Sequence, residues 1–166
     1  MDAMSVLIYL PLLWAVSTQS PANPLVNPPV AVKTMTACLA VTKPEVEDAL
    51  GRSVGNGKER KSNGTWSCEY EAADGQVTIT IYHSQAKLNL PAEIKNLRKA
   101  IPQAKIREVA GLGTRAFFMD MAAIGTQLHV ICGEYDYLLV SVLGFGDANQ
   151  VSSAAEKMAR QALDRF

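Results

Sequence analysis

The sequence predicts a single α+β domain, with one antiparallel sheet of about six strands and helices packed mainly on one face. Three observations carry this prediction. Between residues 65 and 143 apolar positions recur with a period of two, the repeat of a strand that lays one face on a core. Residues 90–101 and 151–166 instead show the three-and-four spacing of an amphipathic helix. Glycines at 111, 113, 125, 133, 144 and 146 fall mostly where one apolar run stops and the next begins, the places a turn is needed.

Composition narrows the class. The chain has 166 residues with 16 Lys and Arg against 16 Asp and Glu, so no positive surplus is left for nucleic acid. Apolar residues make up 48%, too many for a disordered chain, and the length suits one domain. The charges are unevenly spread: residues 52–107 carry ten basic and five acidic side chains, residues 108–147 one and five.

The apolar run at residues 5–16 is shorter than the roughly 20 residues of a spanning helix and has the form of a secretory h-region. Ala15 and Ser17 supply small residues for cleavage after Ser17. Asp2, with no Lys or Arg beside it, departs from the usual positive n-region, and a start at Met4 would remove it. Residues 20–30 hold four prolines, which cannot donate backbone hydrogen bonds and read as an extended tether. Met35-Thr36-Ala37-Cys38 has the rough shape of a lipid-attachment box, but the prolines and Lys33 separate it from the apolar run. The expected organisation is a signal peptide at 1–17, a tether at 18–34 and the domain at 35–166. The protein is then exported, periplasmic or secreted, with no transmembrane helix once the signal is removed.

Within the domain, Thr42 and Glu45 have capping-box spacing, Val41 and Val46 form a hydrophobic staple, and the helix they start ends at Gly51. Residues 52–64, with Lys58, Arg60 and Lys61 among glycines, read as a solvated loop. Trp66, Cys68 and Tyr70 share one phase of a strand, and Val77, Ile79 and Ile81 share one phase of the next, with Asp74-Gly75 as the turn. A helix follows with Leu90, Ile94, Leu97 and Ile101 inward, Pro91 in its first turn and Pro102 at its end. Lys95, Asn96, Arg98 and Lys99 occupy its other face, read as solvated. Strands at 105–109, 114–119, 127–132 and 137–143 form an antiparallel meander, with Leu138 to Val140 in a central strand. Val151, Ala154, Ala155, Met158, Ala159, Ala162 and Leu163 then make a helical stripe whose alanines permit close packing on the sheet.

Cys38, Cys68 and Cys132 allow one disulfide and one thiol in an oxidising compartment, with three pairings open. A Cys38–Cys68 bridge would staple the first helix to the sheet and contribute about 3.6 kcal/mol in the chain-entropy account. Cys132 lies on the apolar phase with Leu128 and Val130, where a thiol acts as a small hydrophobe, and His129 sits on the opposite phase. No C-x-x-C supports zinc or thioredoxin chemistry.

Other constellations imply no cofactor, metal or catalytic residue. Gly111-Leu112-Gly113 lacks the third glycine of a dinucleotide loop and leads into a strand. His83 and His129 would need Asp120 or Glu134 brought near to hold a metal. Ser141 lies inside an apolar strand without a nucleophile elbow, and Glu134 and Asp136 flank Tyr135 at a polar turn. Asn63-Gly64-Thr65 is a glycosylation sequon.

The order of signal, tether, Cys38 leading into the Leu39–Gly51 segment, the Cys68-Glu69-Tyr70 strand and the Val109-Ala-Gly-Leu-Gly-Thr-Arg-Ala116 segment before a meander resembles small exported bacterial domains of unknown function, including some actinobacterial lipoproteins. The resemblance implies a PsbP-like α+β fold with a Cys38–Cys68 bridge, and transfers no catalytic residue. The chain departs from these relatives in its missing lipid box and its additional Cys132. The expectation is a non-catalytic binding or accessory module of the cell envelope, with an envelope protein or a small ligand as partner. The competing expectations are a small periplasmic hydrolase or thiol enzyme using Cys132 or His129, and a structural envelope component.

Overall fold

The computed structural model describes residues 36–166; the expected signal and tether lie outside the described residues. The fold opens with one helical turn, α1 (Ala37–Ala40), followed by α2 (Lys43–Leu50). The Glu45 carboxylate accepts hydrogen bonds from Thr42 N at 2.8 Å and Thr42 Oγ1 at 2.7 Å, satisfying a donor that the start of α2 would leave unpaired. Val41 and Val46 are both fully buried, and Gly51 closes α2 in the left-handed conformation at φ +69°.

Seven strands follow: β1 (Lys58–Ser62), β2 (Thr65–Ala72), β3 (Gly75–His83), β4 (Lys105–Val109), β5 (Arg115–Asp120), β6 (Gly125–Ile131) and β7 (Asp136–Gly144). Helix α3 (Leu90–Ala100) joins β3 to β4, and α4 (Ala148–Leu163) follows β7. All seven strands lie in one antiparallel sheet in the order β1-β2-β3-β7-β6-β5-β4, so the class is α+β with a single sheet. The count is seven rather than about six. The additional strand is β1, inside the stretch that composition assigns to a solvated loop. Every β1 residue is exposed, so no apolar phase marks it; its charged side chains suit a sheet edge that must not recruit another chain.

The β1–β2 turn is Asn63-Gly64, both with positive φ (+46° and +76°), the type I′ geometry that matches strand twist. The next hairpin turns on Ala73-Asp74 rather than Asp74-Gly75, since Ala72 pairs with Gly75. Gly75 answers a different demand: a Cβ there would lie 2.5 Å from the Leu143 carbonyl oxygen on β7.

One sheet face carries Cys68, Tyr70, Ile79, Val140 and Leu128, all essentially inaccessible. Helices α1 and α4 pack on this face, and α2 packs on α4. Helix α4 buries Val151, Met158 and four alanines, and the short side chains let it lie close to β6 and β7. The opposite face carries Phe117, Ile131 and Tyr137, which α3 covers with Leu90, Ile94 and Leu97. Three helices therefore belong to the first face and α3 to the second. Only Leu90 of α3 is buried, which leaves α3 the least embedded of the longer helices.

Cys38 and Cys68 form a disulfide with Cα atoms 5.0 Å apart, tying α1 to β2. Gly57 passes directly over it, where a Cβ would meet Cys68 Sγ at 2.7 Å. Beside the bridge, the buried Tyr70 hydroxyl donates to the Val41 carbonyl at 2.6 Å, and burial pushes that phenol up to about 12. Replacing Tyr70 with Phe leaves the Val41 carbonyl unpaired and should cost about 1–2 kcal/mol, read as a lower urea midpoint at unchanged slope. An unchanged midpoint would show that this bond does not fasten the α1–α2 junction.

Candidate functional site

The candidate site is a notch at the end of the sheet where the chain enters α3. Residues after β3 are strapped to the β6–β7 turn: Ser84 N donates to the Tyr135 carbonyl at 2.7 Å and Leu88 N to the Glu134 carbonyl at 2.8 Å. Asn89 then caps α3, its side-chain oxygen accepting from Ala92 N at 3.2 Å, and Pro91 sits in the first turn. This entry holds the helix off the sheet and leaves an open depression of about 760 Å³. Leu88, Leu90, Pro91 and Ile131 give it an apolar floor, with Lys87, Arg115 and Glu134 at the rim.

The depression continues as a narrower cleft of about 90 Å³ between α3 and the sheet, reaching Tyr82, Glu93 and Tyr137. The Tyr137 hydroxyl is hydrogen-bonded to His129 Nδ1. His129 is 3% exposed and stacked on Phe117, with ring centroids 4.5 Å apart. Its Nε2 has no hydrogen-bond partner among the described residues. Burial holds this imidazole neutral, lowering its pKa to about 4, and pushes the Tyr137 phenol up. The notch is thus an apolar recess that adjoins a cleft lined by the half-buried Tyr137, with neutral His129 buried behind the Tyr137 hydroxyl. Neutral groups of this kind orient a ligand by hydrogen bonding without demanding a counter-charge.

The residues weighed for chemistry are distributed elsewhere. Cys132 follows β6 and packs with the core on the first face, its thiol pushed up to about 12 chiefly by burial. His129 belongs to the second face, so the sheet itself separates the two. A thiol so protonated, with the histidine on the other side of the sheet, is a poor nucleophile. His83 lies at the end of β3, paired through Nδ1 with Asp136 at 2.7 Å, and Glu134 is paired with Lys87. Asp120 receives Arg107 at 3.0 Å and Thr126 at 2.7 Å. The two histidines therefore hold separate partners, and no group of three metal-ligating side chains occurs among the described residues. Ser141 is buried within reach of Gln127 at 3.4 Å.

Sequence reasoning does not single out Tyr137 or the α3 entry. Tyr137 opens an apolar run, and its pairing with His129 depends on the β6–β7 register, in which Ile131 opposes Tyr137 and His129 opposes Leu139. The diagonal that joins the hydroxyl to the ring exists only once that register is set.

No protein-family model matches the chain, and comparisons with curated proteins and with solved structures return no match. The fold and site define an antiparallel α+β domain with a disulfide-stapled core and an open notch beside α3 on the second sheet face.

Proposed function

We propose that the protein is an exported, non-catalytic binding module of the bacterial cell envelope, and that the α3 notch receives a small, predominantly apolar ligand carrying one polar group. The observation that carries this reading is the notch itself: an apolar recess of ligand size that shares Leu88, Leu90 and Ile131 with a narrower cleft lined by Tyr137, behind whose hydroxyl the neutral His129 is buried. The Cys38–Cys68 bridge supports export, since such bonds persist in oxidising compartments. Among the described residues, no helix is long and apolar enough to cross a membrane. The placement of Cys132 and His129 on opposite faces favours binding over thiol chemistry.

Fluorescence titration with the apolar dye N-phenyl-1-naphthylamine tests the reading. The expected result is saturable binding that weakens at least about ten-fold, or about 1.4 kcal/mol, when Thr114→Trp fills the notch from its exposed rim. Thr78→Trp, on the uncovered part of the same sheet face, should leave binding unchanged. Equal binding by the wild type and the Thr114 variant, with native circular dichroism in both, would overturn the assignment.

A further inference from the structure

Among the described residues, the basic side chains sort into two groups. Lys43, Arg52, Lys58, Arg60, Lys87, Arg107, Arg115, Lys157, Arg160 and Arg165 each lie within 4.0 Å of a carboxylate, and Lys61 lies over the Trp66 ring. Lys95, Arg98, Lys99 and Lys105 are exposed, and none of the four appears in an ion pair among the described residues. The surplus of cations in the middle of the sequence is therefore concentrated on α3 and the first residue of β4.

Topology places these cations beside an apolar tip. Lys105 opens β4 opposite Asp120, the last residue of β5, and the chain then makes a 3-10 turn at Ala122–Ile124. Arg98 and Lys99 lie in the last turn of α3, a short connection away from Lys105. Asp120 is already engaged by Arg107 and Thr126 and leaves Lys105 uncompensated. The turn is closed by Met121 N donating to the Gly125 carbonyl at 2.9 Å, with Ala122 at φ +52°, a conformation alanine rarely adopts, and its three residues are exposed, Ile124 by 57%.

We propose that this end of the sheet docks on an anionic lipid surface, with Lys95, Arg98, Lys99 and Lys105 meeting the headgroups and Ile124 entering the interface. Three of the four cations are lysines, point charges that match a laterally uniform array of anions and lack the fork that arginine uses for a shaped acidic partner. Arg98 and Lys99 close α3 on the second sheet face and Lys105 opens β4 beside the start of α4 on the first, so the cations flank the sheet end that the Ala122–Ile124 turn caps. Cations beside an exposed apolar side chain combine the two weak attractions from which peripheral membrane binding is built. The docking is independent of what occupies the notch, which lies at the other end of β6, beside the β6–β7 turn.

Sedimentation of the full chain with vesicles of phosphatidylcholine, with and without phosphatidylglycerol, tests this. Any contribution of the apolar run at residues 5–16 is common to every variant and is read by the neutral vesicles. The expected result is at least about ten-fold tighter binding to the anionic vesicles, lost at high salt. The K95Q/R98Q/K99Q/K105Q variant should lose on the order of 600-fold, at roughly five-fold per cation. Ile124→Ser should weaken binding several-fold, and K58Q/R60Q, on the opposite edge, should bind as the wild type does. Equal binding to both vesicle types, or an unaffected quadruple variant that retains native circular dichroism, overturns the proposal. So does polyglutamate binding as tight as vesicle binding with no effect of Ile124→Ser, which would assign the surface to an acidic polypeptide.

Discussion

Replacing Cys38 and Cys68 together with Ala should lower the unfolding free energy by about 3.6 kcal/mol, the loop-closure contribution for a sequence separation of 30, with a further loss from the cavity left at the fully buried Cys68. Against a typical total of about 5–15 kcal/mol this is a large fraction, visible as a drop in the urea midpoint. The loss should be local as well as global. Helix α1 has four residues, too few to sustain itself, and is held by the bridge, by the Tyr70 hydroxyl on Val41 and by Arg165 Nη1 on the Ala40 carbonyl at 2.6 Å. Hydrogen exchange should show amides at the end of α1 losing protection before those of β3 and β7. A midpoint unchanged by the double substitution would mean that the bridge closes a segment already fixed by packing.

Acidification should destabilise the protein through His129. The imidazole is neutral and buried when folded, with a pKa near 4, and free to protonate near 6.5 when unfolded. The unfolded state therefore binds the extra proton as pH falls, so stability is full above about pH 6.5 and declines down to about pH 4. The difference of about 2.5 pKa units corresponds to about 3 kcal/mol. The faces around the ring supply Phe117 from β5, Tyr137 from β7 and, across the cleft from Tyr137, Glu93 from α3. Glu45, held near 2 by its hydrogen bond from Arg165, also loses its contribution as pH falls from about 4.5 toward 2, so the contrast with His129→Gln isolates the histidine. Between pH 7.5 and pH 4 the wild type should lose about 3 kcal/mol more than the His129→Gln variant. Equal losses would show that protonation of His129 is accommodated without opening the α3 cleft.

Much of the fold is legible in the chain, because the burial it requires is one-sided. The alternation of Val77, Ile79 and Ile81 puts them on the face under α1 and α4, and the stripe from Val151 to Ala162 becomes the buried side of α4. The Thr42–Glu45 cap and Gly51 stop are local chemistry and form as spaced. Strand β1 escapes the same reading because it buries nothing: its pairing rests on backbone hydrogen bonds to β2 and on the Asn63-Gly64 turn. That dipeptide is a hairpin signal in its own right, outweighed by the charged residues around it.

The candidate site is less legible than the fold, since it is made by what does not pack. Leu90, Ile94 and Leu97 announce a core-facing helix, yet α3 meets the second sheet face through a few residues only, and the recess left at its entry has no sequence pattern. His129 is visible in the sequence as a strand histidine out of phase with Cys132. Its partner is not, because Tyr137 reaches it on a diagonal from the neighbouring strand β7. The unpaired cations are equally hidden: a sequence count shows the surplus, but only the folded chain shows which carboxylates neutralise Lys58, Arg115 and Arg165 and leave α3 bare.

The central claim, that this is an exported module with a disulfide-stapled core, is tested most directly by intact-mass analysis of the protein purified from its own host after thiol alkylation. The account predicts a chain beginning at Thr18, with Cys38 and Cys68 bridged and Cys132 alone alkylated once unfolded. A chain beginning at Met1 with all three cysteines alkylated would contradict it.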